Sequence, residues 1–235
     1  MDFQFCWLAI LVIVVALPAP VPAPSPAPLI VDTTNTGFKL SDPSKGEYVT
    51  FDIRGDGTLA KLSWPHHGSG NAWLTVDLDG DGVIENGKEL FGNFSAYADH
   101  GVANYPNPNG FNALSWYDQA AQGGDGNLII DKNDAVWSKL RLWIDGHCWK
   151  EPDVPCKSRP DELHDLESEG ITSISLVWGG SYKVDDVGNE FKFYTVLNPE
   201  AETTPKNEKG ESCCDLRQRS KDPRLIYDVY LKTVQ

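Results

Sequence analysis

Asp77-Leu78-Asp79-Gly80-Asp81-Gly82-Val83-Ile84-Glu85-Asn86-Gly87-Lys88-Glu89 concentrates five acids in thirteen residues. Carboxylates this close repel one another unless a cation neutralises them. Their spacing suits calcium, a hard cation that takes about six to eight oxygen ligands. Asp77, Asp79 and Asp81 occupy positions 1, 3 and 5 of such a loop. Gly82 at position 6 permits a left-handed turn. Val83 at position 7 offers its carbonyl, Ile84 plugs the loop into a core, and Glu85 follows at position 9. An EF-hand closes with a carboxylate at position 12. Here that place holds Lys88, and Glu89 stands one place later, so the loop is EF-hand-like and Asn86-Gly87 must absorb the extra residue. A merely solvated Asp/Gly turn is the alternative.

A second loop is more broken. Ile130, Asp131 and Asp134 fit positions 8, 9 and 12. Counting back places Asn127 at position 5 and Asp125 at position 3. Asp118 supplies position 1 if Gln119 to Gly124 is an insertion, and Leu128 then stands where a glycine is usual. The competing reading is a helix-capping turn at Asp131 and Asp134. A third region, Asp145 to Glu162, is degenerate: its long insertion holds Cys148 and Cys156, and a disulfide there could take the ion's place as a staple. Asp52 and Asp56 also resemble a loop start, but Arg54 puts a cation in the third position.

Outward from these loops, the composition is that of a folded, acidic protein. The 235 residues carry a net charge of −14, which argues against nucleic acid, whose phosphates need a basic surface. Phe3 to Leu17 is almost wholly apolar and close to a signal-peptide core in length. Residues 1–17 are therefore expected to be a signal peptide or a short membrane tether. Residues 18–28 alternate Pro with small residues and read as a stiff spacer. Residues 29–235 are expected to form a single domain. Cys148, Cys156, Cys213 and Cys214 make an even count outside the leader, which suggests two disulfides and an oxidising compartment. A Cys148–Cys156 bridge and cross-links from both to the vicinal pair remain open, while a bridge within Cys213–Cys214 would strain the backbone.

Short strands dominate the pattern. Tyr48 to Ile53 alternates and Leu59 to Trp64 answers it across Gly55-Asp56-Gly57. Ala72 to Val76 leads into the first acidic loop. Gly110 to Tyr117 reads as a helix, Asp134 to Ser138 as the start of another, and Asp161 to Leu166 as a helical turn stopped at Gly170. Leu140, Leu142 and Ile144 alternate as a strand. Ile171 to Trp178, Glu190 to Leu197 and Leu225 to Val234 look like a closing sheet. Pro199 to Ser212 reads as a surface loop. The expected fold is α+β: short-stranded sheets flanking EF-hand-like loops with short helices.

These residues carry a resemblance. Asp77 to Gly92, with its ending Asn86-Gly87-Lys88-Glu89-Leu90-Phe91-Gly92, resembles the calcium loop of a bacterial group related to RTX proteins. Asn109-Gly110-Phe111-Asn112-Ala113-Leu114, Ile130 to Asp134, Leu140-Arg141-Leu142-Trp143 and Glu162-Leu163-His164 follow in the same order, and the opening Pro28 to Asp32 and closing Tyr227-Asp228-Val229 also fit. The group includes exported calcium-binding proteins and the self-processing module of iron-regulated RTX proteins, in which calcium-driven folding leads to cleavage of an Asp-Pro bond. The resemblance implies calcium binding. It opposes self-cleavage, because the residue before Pro28 is Ala27 and the chain's Asp-Pro pairs, Asp42-Pro43 and Asp222-Pro223, stand elsewhere.

Other chemistries find little support. There is no Gly-x-Ser-x-Gly, no His-Glu-x-x-His and no phosphate loop. His66-His67 reads as a solvated hairpin rather than a metal pair. The expected function is an exported calcium-binding module with a structural or binding role, its partner a cell-surface protein or glycan. A calcium-triggered Asp-Pro autoprotease is the alternative. The expected calcium ligands are Asp77, Asp79, Asp81, Val83, Glu85 and Glu89, with Asp118, Asp125, Asn127, Asp131 and Asp134.

Overall fold

The run Leu29-Ile30-Val31-Asp32 is apolar on both sides of its pleat, so it needs cover on both faces. The computed structural model, which describes residues 24–100, 109–199 and 220–234, places it as strand β1 (Leu29–Asp32) in the middle of a sheet. It pairs antiparallel with β4 (Asn71–Val76) on one side and β11 (Leu225–Tyr230) on the other. Beyond β4 lie β6 (Leu140–Trp143) and β7 (Leu163–His164); beyond β11 lie β10 (Glu190–Val196) and β9 (Gly179–Val184). All seven strands run antiparallel to their neighbours. A three-stranded sheet joins β2 (Val49–Phe51), β3 (Ala60–Leu62) and β12 (Thr233–Val234), and a two-stranded one pairs β5 (Ile129–Asp131) with β8 (Ser173–Ser175).

Alternate residues of the large sheet feed two cores. Leu29, Val31, Leu74, Leu142 and Ile226 pack on one face with Phe111, Leu114, Ile130 and Ile174. Ile30, Trp73, Trp143, Tyr227 and Val229 pack on the other with Phe51, Leu62, Trp64 and Ile84. Each fully buried side chain of this kind contributes about 1.5–3 kcal/mol of transfer free energy. Trp64 sits at the centre of the second core, its ring 5.2 Å from Trp73 and 5.4 Å from Trp143.

This architecture corrects the expected α+β fold: the chain is mainly β. The one α-helix among the described residues, α1 (Gly110–Ser115), runs into a 3-10 turn at Trp116–Asp118. Asp134 to Ser138 does not open a helix; a single 3-10 turn at Trp137–Lys139 precedes β6. The Asp77 loop leaves strand β4 with no helix on either side, so the helix–loop–helix frame of an EF-hand is absent. Sheets do not flank the loops from opposite ends either, because first strand and late strand lie side by side. Asp161 to Leu166 holds only a turn at Pro160–Glu162 before β7, and β8 leaves the expected closing sheet to pair with β5. The β2–β3 hairpin and β4 form where expected. The leader, residues 18–23 of the spacer, residues 200–212 and Cys213–Cys214 lie outside the described residues. Among the described residues no helix is long and apolar enough to cross a membrane.

Candidate metal sites

Val76 pairs with Leu140, so the end of β4 and the start of β6 share one rim of the sheet. The first acidic loop leaves β4 there, and the second returns to β6 there. In the first, Asp77 accepts the amides of Gly80 (2.7 Å) and Gly82 (2.8 Å) on its two oxygens. Asp79 accepts the amide of Asp81 (3.2 Å), and Asp81 that of Val83 (2.8 Å). One oxygen from each of the three aspartates lies within 4.8 Å of the others. Ile84 is fully buried and its amide donates to Ser158 Oγ (2.7 Å), which pins the loop to the core. Buried Glu89 spans the mouth, accepting the amides of Leu78 (3.3 Å) and Glu85 (3.1 Å). The extra residue before it is taken up where the Gly87 amide donates to the Asp52 carbonyl (2.8 Å).

The second loop repeats this ladder rung by rung. Asp118 accepts the amides of Gly126 (3.1 Å) and Leu128 (3.0 Å); Asp125 accepts that of Asn127 (3.2 Å), and Asn127 that of Ile129 (2.7 Å). Ile130 is fully buried, as Ile84 is. Asp134 accepts the amide of Asp131 (2.8 Å), as Glu89 does that of Glu85. The intervening residues loop out through a 3-10 turn at Ala120–Gln122 and return at Gly124. A Cβ on Gly124 would lie 2.2 Å from the Asp118 carbonyl carbon, so only glycine closes the excursion. Asp118, Asp125 and Asp134 bring one oxygen each to within 4.8 Å. Asp131 and Asn127 stand on the same turn, more exposed.

Oxygens without partners point to what the ladders lack. Asp134 Oδ1 is buried with no hydrogen bond, and so is Glu85 Oε2. Burial raises the Asp134 carboxyl above its ordinary value, and the charges of Asp118 and Asp125 add to the shift. Burial likewise raises Glu89 and Glu85, with Asp79 and Asp81 among the charges that add. At Asp77 burial opposes ionisation, but the Gly82 and Gly80 amides outweigh it and hold the carboxyl down. An all-oxygen donor set, pre-curled and rich in carboxylates, fits a hard divalent cation.

Position 6 distinguishes the loops. Gly82 has φ +81° and Leu128 has φ +65°, a region costly for a branched side chain. Leu128 is exposed, so little packing repays that cost. Removing about 1–2 kcal/mol of strain against about 0.5–1 kcal/mol of added chain entropy leaves Leu128→Gly stabilising by about 0.5–1 kcal/mol. Urea unfolding in calcium measures it.

The Asp145 region is built differently. Asp145 accepts the His147 and Cys148 amides (both 2.9 Å) and Trp64 Nε1 (3.1 Å). Cys148 is bonded to Cys156, with Cα atoms 5.4 Å apart. His67, the expected solvated hairpin residue, packs its ring on Trp149 (5.1 Å).

Asp228 escaped the reading of candidate sites, although a lone acid inside Leu225-Ile226-Tyr227-Asp228-Val229-Tyr230 was a signal. It is fully buried on β11. One oxygen accepts the Gly110 amide (3.2 Å) and the other has no hydrogen bond. Burial pushes its carboxyl well above the ordinary range; Lys192 and the Gly110 amide oppose this only in part. The folded state therefore holds a proton that the unfolded state releases above about pH 3.9. Stability contributed by the protonated acid is lost as pH rises toward the folded value. Asp228→Asn is expected to flatten this fall, so that the stability difference between variant and parent grows in the variant's favour from pH 5 to pH 8. Denaturant unfolding at the two pH values checks it.

A family model described as the SPM domain matches residues 29–208. The chain is similar to the iron-regulated protein FrpA of Neisseria meningitidis serogroup C: 34% identical over 128 residues, which make up 54% of this chain and 10% of that protein. It thus spans about a tenth of that relative's length.

Proposed function

The chain belongs to the SPM domain family, and from that premise we propose that it is an exported calcium-binding module with a structural or binding role. The observation that carries the reading is the repeated ladder: two loops of unlike sequence curl the same way and close on a buried acid, one of which has an unpartnered oxygen. Asp77, Asp79, Asp81, the Val83 carbonyl, Glu85 and Glu89 would hold one ion. Asp118, Asp125, Asn127, Asp131 and Asp134 would hold the second. Calcium supplies charge neutralisation there and no reaction step. The Cys148–Cys156 bond supports an oxidising, extracytoplasmic location. Beside the first loop a cleft of about 530 Å³, walled on its other side by Lys139 and Arg141, offers room for a cell-surface protein or glycan.

Self-cleavage is disfavoured. Buried Ala27 precedes Pro28 and has no carboxylate to attack its own carbonyl. The Ser44 hydroxyl and amide hold the Asp42 carboxyl down at about 2. At Asp222 burial opposes ionisation, but the Arg224 guanidinium, 2.7 Å away, keeps the carboxyl below its usual range. Neither Asp-Pro pair therefore presents the protonated acid that the chemistry uses.

Calorimetric titration tests the reading. Calcium is expected to bind in the range of about 10⁻⁵ to 10⁻³ M, ahead of magnesium, which demands tighter octahedral geometry. Binding should weaken from pH 7 to pH 5, because Glu85, Glu89 and Asp134 take up protons more readily than ordinary carboxylates. Asp77→Ala with Asp81→Ala removes one site, and Asp118→Ala with Asp134→Ala the other. Variants that bind like the parent sink the assignment. After hours in calcium the sample should keep a single mass; a new terminus at Pro43 or Pro223 would favour the autoprotease instead.

A further inference from the structure

His147 stands apart from the oxygen loops. Its Nδ1 lies 2.7 Å from Glu162 Oε1, and its Nε2 faces Cys148 Sγ at 3.8 Å. Glu162 is fixed in turn by the amides of Gly146 (2.8 Å) and Arg159 (3.0 Å) and by Trp143 Nε1 (3.3 Å). A carboxylate on Nδ1 places the ring proton there and leaves the Nε2 lone pair free to ligate. Metal-binding histidines are held in this way. Asp145, His147 and Cys148 each bring a donor atom within 4.8 Å of the others. Cys156 is joined to Cys148, and its amide donates to the Thr50 carbonyl (2.8 Å), so its backbone is anchored. Both sulfurs and Asp145 are buried, and the His147 side chain is nearly so.

While the disulfide stands, neither sulfur is a thiolate and the corner takes no metal. We propose that opening the Cys148–Cys156 bond converts it into a zinc site with Cys148 Sγ, Cys156 Sγ, His147 Nε2 and Asp145 as donors. A dithiol reductant supplies two electrons and two protons: the S–S bond breaks, two thiols form, and the dithiol closes to its own disulfide. Zinc then displaces the two thiol protons to solvent. In a tetrahedral site with Zn–S about 2.3 Å and Zn–N about 2.0 Å, donors stand about 3.5 Å apart. The imidazole–sulfur separation is already close to that; the two sulfurs must part, and Asp145, whose Oδ1 now lies 3.5 Å from His147 Nδ1, must turn an oxygen toward the metal. Soft thiolates select zinc over calcium, while the oxygen loops prefer the reverse. The corner is then stapled in either redox state, by a covalent bond under oxidising conditions and by a metal under reducing ones.

The probe is cobalt(II), which reports tetrahedral thiolate ligation by its absorption. The full chain with Cys6, Cys213 and Cys214 changed to Ser is reduced with a phosphine, refolded in millimolar calcium, and checked for two free thiols. Calcium keeps the oxygen loops filled. One cobalt per chain is expected, with sulfur-to-metal charge-transfer and tetrahedral d–d bands that one equivalent of zinc abolishes. The oxidised chain should show neither. His147→Ala should weaken binding at least tenfold, Glu162→Gln by about 10-fold or more through loss of the positioning carboxylate, and Cys148→Ser should remove the bands. Near-UV circular dichroism shows whether each variant folds; His147→Ala carries the test if Cys148→Ser does not. Absence of the bands in the reduced chain overturns the proposal. So does cobalt binding to the oxidised chain, or binding that His147→Ala leaves unchanged.

Discussion

Stripping calcium from the chain with a chelator is expected to lower its melting temperature by about 10–20 °C. Without the ion, the acids of the two loops repel one another across short distances, and Glu85, Glu89 and Asp134 are left raised by burial. A ligand that binds only the folded state adds about 2.7 kcal/mol at a hundredfold excess over Kd, so two sites add about 5 kcal/mol. For a domain of this size each kcal/mol moves the melting point by about 2–4 °C. The loss should be local at first, because Ile84 and Ile130 anchor the loops to different cores. Asp77→Ala with Asp81→Ala is expected to reproduce about half of the shift and to leave the other half sensitive to chelator. Calorimetric melts in calcium and in chelator decide it. An unchanged melt would mean that the disulfide and the two cores hold the fold by themselves, and the calcium reading would fall.

Trp143→Ala is expected to destabilise the chain by about 3–5 kcal/mol. Trp143 is fully buried between Phe51 (5.8 Å) and Trp64 (5.4 Å), and its Nε1 donates to Glu162. Truncation empties the centre of the second core, where the large sheet meets β2 and β3. It also removes a hydrogen-bond donor to the Glu162 carboxylate. Trp143→Phe helps separate the two effects, since it keeps an aromatic ring in the cluster while losing the N–H and the smaller ring of the indole. It is expected to cost about 1–2 kcal/mol. Urea unfolding of both variants in calcium measures the difference. If Trp143→Ala costs no more than Trp143→Phe, the aromatic cluster is not what joins the sheets.

Local chemistry was legible in the sequence wherever it lay within a few residues. The Asp77 loop was readable because each carboxylate bonds an amide two to five residues on, a distance fixed by the backbone itself. The hairpin of β2 and β3 was readable for the same reason: its turn residues and alternation sit side by side in the chain. The second loop could be sketched by counting back from Asp134. Asp118 became its first rung only where Gly124 packs against the Asp118 backbone and folds the insertion out of the way. Helix and strand were harder to separate. Asp134 to Ser138 carries helix-opening residues, yet the chain makes one 3-10 turn there because β6 must begin at Leu140 to pair with Val76. Strand β9, with two glycines and an exposed Tyr182, gave no apolar pattern to find.

The sequence by itself determined where the acids cluster, where the chain turns and which segments are apolar enough to be buried, because these depend on neighbours along the backbone. Tertiary structure alone decided that β1 lies between β4 and β11 and that β8 leaves the large sheet for β5. It also paired Cys148 with Cys156 and left Asp228 in a dry core beside the Gly110 amide. Strands covered on both faces read as continuous apolar runs, which say that a segment is inside without saying beside what. A buried carboxylate is set by groups that can stand more than a hundred residues away, as Gly110 does from Asp228, and only the closed fold brings them within reach.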